Sequence, residues 1–337
     1  MARRDELLEL LRPPAHRGPL IAAGAVLFTA GIALEELRLD DALPNGLHVL
    51  IVAATAALIF GLGLQAQLEG GRPAAYQSVL LVCGLLLLEL ALIELASLLG
   101  VDFQGTDFPA GALVWTSLLL CGAALYPAVR RNSAISAMVA GIALGVAILA
   151  AANWILGADS ETFYRWLLLA LSLAFVLASL ALRGGNPRHA ELMVIVAGLA
   201  TLAIAVVALT GALFGLLVGF GGAGDDGLLP GFWQLIVLGA GCGLIAYGAV
   251  DRVPGAAWLG VVHLVAFVAA ASVRADATLL WWPLLLLALG GAVLVVGLRP
   301  RRPLPPEPAG YSIDRPLASR TDEELSVRVR NDDPPGR

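Results

Sequence analysis

The run Leu192–Phe220, LMVIVAGLATLAIAVVALTGALFGLLVGF, holds 29 consecutive residues without a charged side chain. Eighteen or more such residues read as a membrane-crossing helix. At about 1.5 Å per residue this one outruns a hydrocarbon core about 30 Å thick. It is therefore expected to tilt, kink or project beyond the bilayer.

The same pattern recurs on both sides of it. The 337-residue chain is 59% hydrophobic and 14% charged, against about 25% charged in an average soluble domain, too few to cover a surface facing water. Ten spans are expected, roughly 19–35, 46–65, 75–100, 109–129, 133–156, 163–182, 191–220, 231–250, 255–273 and 278–298. The fold class that follows is all-α, a polytopic transmembrane helix bundle embedded in a lipid bilayer. The first span lacks a convincing cleavage site and is read as retained.

Arginine sets the orientation, because all 21 basic residues are arginine and none is lysine. Arg3, Arg4, Arg12 and Arg17 precede the first span, and Arg299, Arg301 and Arg302 follow the tenth. Arg72, Arg130, Arg131, Arg183, Arg188 and Arg252 fall in the connections on the same side, leaving Arg38, Arg165 and Arg274 on the other. The positive-inside rule then places both termini in the cytoplasm, in a plasma or inner membrane. Tryptophans 115, 154, 166, 233, 281 and 282 mark the outer ends as an aromatic belt, with Trp258 alone inside, and Tyr76, Tyr126 and Tyr247 mark the inner ends.

The second half repeats part of the first at an offset of 121 residues: CGAALYPAVRR from Cys121 reads again as CGLIAYGAVDR from Cys242. Pro109 likewise matches Pro230. The expected organisation is a cytoplasmic amphipathic segment at 1–18 and a first hairpin at 19–70. Four-helix unit A follows at 71–188, its copy, unit B, at 189–299, and a proline-rich, disordered tail at 300–337. Units of four spans keep one orientation, so the repeat is parallel, with its axis along the membrane normal.

Candidate chemistry lies where water does not reach. LLLLELALIELASLLG carries Glu89 and Glu94 in the third span. Glu89 stands about 21 Å along the helix from Ala75 and Glu94 about 28 Å, their directions about 140° apart. A charge at the centre of a span costs about 3 kcal/mol on insertion scales, so Glu89 is the leading proton-relay or cation-binding group, with helix-locking by a neutral acid as its structural counterpart. His263, well inside the ninth span, is the candidate proton partner or else a satisfied packing residue. Arg165 pairs with Glu94, capped by Asn153, or reaches the headgroups alone. Cys83, Cys121 and Cys242 sit in apolar runs as inert core thiols.

No HExxH, GxSxG, phosphate-binding glycine loop or cysteine cluster occurs, and the lack of lysine excludes a Schiff base. Neither catalytic residues, a cofactor, a metal nor a nucleic-acid partner is expected. At the termini, DELLELLR before Pro13-Pro14 reads as a segment lying on the membrane, and Thr321 with Glu324 forms a capping-box pattern in the tail. The leading reading is a small-molecule or ion transporter, its path between units A and B, with a small solute or cation as ligand. The alternative is a scaffold or sensor whose C-terminal tail recruits a cytoplasmic protein; a lipid-modifying enzyme ranks third.

Overall fold

The computed structural model describes residues 17–39, 44–66, 68–69, 72–102, 109–157, 160–217 and 229–272. The expected tenth span, the N-terminal amphipathic segment and the C-terminal tail lie outside the described residues, as does the whole unit Asp276–Arg337.

Nine helices follow one another among the described residues. They are α1 (Gly18–Leu39), α2 (Asn45–Gln65), α3 (Ala75–Leu98), α4 (Ala110–Arg130), α5 (Ala134–Leu156), α6 (Glu161–Leu182), α7 (Pro187–Leu217), α8 (Gly231–Val250) and α9 (Pro254–Ser272). Eight are long and apolar enough to cross a membrane; the apolar stretch of α9, Pro254–Ala270, is shorter. The chain is thus a helical, multi-pass integral membrane protein. Besides helices, the described residues form one short antiparallel pair, β1 (Leu68–Glu69) and β2 (Arg72–Pro73), in the α2–α3 connection. The seventh run starts earlier than its charge-free stretch. Pro187 opens α7, a position where its missing N–H costs nothing, so His189 and Glu191 are already helical.

Consecutive helices pair as hairpins, α2 with α3, α4 with α5, α6 with α7 and α8 with α9. Each hairpin closes at the end of the bundle that carries the arginines, and two of them, α2/α3 and α6/α7, span the expected boundaries after residues 70 and 188. Arg131 Nη1 donates to the Ala66 carbonyl at 3.2 Å, joining two of these turns. Further contacts of α7 with α5, α8 and α9 make it the most central helix of the second half.

Between lipid-solvated helices there is little hydrophobic drive, so close approach of small residues supplies the packing. A Cβ on Gly84 would meet the Phe60 backbone at 2.8 Å, and one on Gly260 would meet the Gly241 carbonyl at 2.6 Å. On Gly248 it would meet Ala257 at 2.7 Å. These contacts seat α3 against α2 and α9 against α8. Gly141 and Gly145 also face neighbours inside the bundle, whereas Gly239 and Gly243 on α8 face open space.

Two expectations about single residues change. Trp233 is buried and packs edge-on against Trp166, with centroids 5.0 Å apart, so it acts in packing between helices rather than in a belt. Cys242 is exposed on α8, unlike the buried Cys83 and Cys121, because it lies on the face opposite the buried Gly241 and Leu244.

Candidate functional site

Helices α6 and α8 are not among the pairs that pack along their length, yet they are tied together at both ends. At the arginine-rich end Arg183 Nη2 donates to Asp251 Oδ2 at 2.8 Å, and its guanidinium lies 5.6 Å from the centre of the Tyr247 ring. At the tryptophan end Trp166 of α6 packs on Phe232 and Trp233 of α8. Between the two ties, with α7 as its back wall, lies a cavity of about 320 Å³.

The sequence builds this cavity with ordinary helix periodicity. Ser172, Val176, Ser179 and Arg183 line it from α6, Val194, Ala197, Gly198 and Thr201 from α7, and Ala240, Gly243, Leu244 and Tyr247 from α8. Each set follows the spacing of one helix face. Large side chains at those positions would fill the seam. Instead Ala197, Ala240 and Gly243 leave it open, and nothing stands within 4 Å of where a Gly243 Cβ would be. The result is a mainly apolar wall carrying three hydroxyls, with a phenol and a guanidinium at one end.

Thr201 connects the cavity to a fully buried histidine. Its Oγ1 lies 3.0 Å from His263 Nε2 and 2.9 Å from the Gly198 carbonyl oxygen. His263 Nδ1 is 2.8 Å from the Leu259 carbonyl oxygen. A carbonyl only accepts, so Nδ1 carries a proton and this tautomer is assigned from the network. The glycines permit the convergence: a Cβ on Gly241 would meet the His263 Cβ at 3.0 Å, and one on Gly198 would meet Leu259 and Leu244.

None of the five residues singled out in the sequence lines the cavity. Glu89 is half-buried on α3, with Oε2 buried and without a hydrogen-bond partner among the described residues. It lies one turn beyond Leu85, which packs with Cys121, Ala124, Ala140 and Ala143, so it shares the side of α3 that meets α4 and α5. It does not line the cavity. Glu94 is half-buried further along α3. Asn153 lies near the end of α5, where its carbonyl accepts the Gly157 N–H at 2.9 Å. Arg165 is buried on α6 and ion-paired with Glu161 one turn away on its own helix. It stands two turns from Ser172 on the cavity-facing stripe. His263 hydrogen-bonds to Thr201 and Leu259 rather than to a carboxylate, and α3 and α9 are not among the extensively packed pairs.

Thr201, Arg183, Tyr247 and Asp251 were not anticipated as a site. Two signals were present in the sequence. Thr201 and Thr210 are the only side chains able to donate a hydrogen bond in Leu192–Phe220, and Asp251 reverses the charge of Arg130, its match at the offset of 121. Among the described residues no three His, Cys, Asp or Glu side chains gather in a way that would hold a metal ion. No protein family, curated protein or solved structure matches this chain.

Proposed function

We propose that this protein is a transporter of the plasma-membrane type that carries a small solute through the cavity bounded by α6, α7 and α8. The observation behind the reading is the cavity's place and lining. It falls between the last helix of unit A and the first two of unit B, and it collects hydroxyls and a paired arginine in an otherwise apolar bundle. Ligand sites of membrane transporters sit at the seam between repeats in this way.

The proposal includes ten spans, both termini in the cytoplasm and a parallel repeat. Helix starts support the repeat in part: Ala110 and Gly231 are 121 residues apart, whereas Ala134 and Pro254 are 120 apart, because α8 is one residue shorter than α4. The Arg131 and Arg252 of the matched segments therefore occupy successive positions of their turns, Arg252 taking the left-handed conformation that Asn132 takes in the other turn. In this reading Glu89 stands apart from the solute path.

The test is efflux from proteoliposomes loaded with a mixed panel of amino acids, sugars, nucleosides and short carboxylates, followed by mass spectrometry. Selective loss of one class, abolished by Gly243→Trp, is the expected result. Retention of the whole panel, or loss unaffected by Gly243→Trp, would overturn the reading.

A further inference from the structure

We infer that His263 is a proton-binding site that communicates with the cavity through the Thr201 hydroxyl. The inference deepens the transporter reading, since it names the coupling ion, and it rests on that reading for its consequence but not for its chemistry. The ring lies wholly inside the protein, where an ionised group without a counter-charge is costly and needs every hydrogen bond met. Among the described residues everything polar that faces it is an acceptor or can become one: the Leu259 and Gly198 carbonyls and Thr201 Oγ1.

The Thr201 hydroxyl has one proton and three partners within bonding distance, His263 Nε2 at 3.0 Å, the Gly198 carbonyl at 2.9 Å and the more distant Ala197 carbonyl at 3.5 Å. With a neutral ring, Nδ1–H donates to Leu259 and Nε2 accepts the Thr201 O–H. With a protonated ring, Nε2–H donates to Thr201 Oγ1, and the hydroxyl proton turns to Gly198. The two states differ by rotation of one O–H bond, with no heavy atom displaced. Thr201 lines the cavity, so it can pass its own proton to Nε2 while taking one from a hydronium ion in the cavity, which departs as water.

The arrangement has a consequence for the solute. A neutral ring engages the Thr201 proton, whereas an imidazolium releases it for donation, to Gly198 or to an acceptor oxygen in the cavity. A solute bearing a carbonyl or carboxylate oxygen is then held better when His263 is charged.

Among the described residues the elements packed against α9 are α7 and α8. They face His263 with Thr201, Gly198 and Gly241. Apart from the exposed Cys242, the titratable and charged groups of α7, α8 and their turns, Arg183, Arg188, His189, Glu191, Tyr247, Asp251 and Arg252, cluster at the arginine-rich end. No ionised side chain among the described residues acts directly on the ring.

The experiment is nitrogen-15 NMR of the full chain in lipid nanodiscs, labelled at its four histidines, from pH 8 to pH 5, with His263→Gln assigning the signal. The expected result is a single protonated nitrogen, Nδ1, at pH 8 and two at pH 5. Thr201→Ser keeps that change, and Thr201→Val loses it. Thr201→Ala serves as a second hydroxyl-free variant should Thr201→Val not fold. A wild-type His263 in one form throughout, or a hydroxyl-free variant that titrates like wild type, would overturn the inference. The experiment needs no solute, so a titrating His263 in a protein that moves nothing would leave the proton site standing and remove the transporter reading. Solute movement with a non-titrating His263 would do the reverse.

Discussion

Arg183 Nη2 lies 2.8 Å from Asp251 Oδ2, and this ion pair ties α6 to α8 where the two helices are otherwise held apart by a cavity. Both side chains are substantially exposed, so the pair resembles surface bridges worth about 0.2–1 kcal/mol. Its value lies in position, at the arginine-rich mouth. Asp251→Asn is expected to leave thermal stability nearly unchanged while raising the labelling rate of a cysteine at Ser179 severalfold, measured with a small maleimide in a cysteine-free background. An unchanged labelling rate would show that the pair does not close the mouth.

Close helix contacts at glycine should be sensitive to one added methyl group. A Cβ at Gly248 would stand 2.7 Å from the Ala257 backbone nitrogen, which cannot swing aside, whereas one at Gly239 meets nothing within 4 Å. Gly248→Ala is expected to destabilise the protein by about 1–3 kcal/mol through overpacking, and Gly239→Ala to change little. Thermal unfolding of the two variants in the same detergent decides it, and equal transitions would contradict the packing described for α8 and α9.

Glu89 is expected to matter less to solute binding than its place in the sequence suggests. Its Oε2 is buried without a partner among the described residues, and leaving a buried polar group unsatisfied costs on the order of 1–3 kcal/mol. Glu89→Leu should therefore raise stability, and Glu89→Gln should leave solute efflux unchanged. Loss of efflux in Glu89→Gln would return the solute path to α3.

Orientation can be read from single cysteines in intact cells. With both termini in the cytoplasm, a membrane-impermeant maleimide should label a cysteine at Ser160, between α5 and α6, and spare one at Gly185, between α6 and α7. The opposite pattern would invert the topology.

Most of the helices were legible in the sequence, because charge-free runs and their arginine-bearing breaks define where a span can lie. The expected 231–250 coincides with α8, and 133–156 differs from α5 by a single residue. Which face of a helix turns inward was not legible. In water a polar stripe marks the outside, but lipid accepts the same apolar side chains as the interior. Leu80 and Leu81 are buried and Leu118 and Leu119 exposed, with nothing in their composition to tell them apart.

The site was hidden for the same reason. His263 stood out as a polar group within a span, yet its partner Thr201 lies 62 residues away on α7, and periodicity cannot identify a neighbour on another helix. Arg165 is ion-paired with Glu161, four residues back on the same helix, a spacing that the i,i+4 rule makes available from sequence alone.

Whether the cavity among α6, α7 and α8 receives a small solute can be decided by a thermal-stability screen. A library of small solutes would be run in parallel on the purified wild-type protein and on Gly243→Trp, whose indole would occupy the space beside Gly243. A class of solutes should raise the unfolding temperature of the wild type and have no effect on Gly243→Trp. Solutes that stabilise both proteins equally, or a library that stabilises neither, would contradict it.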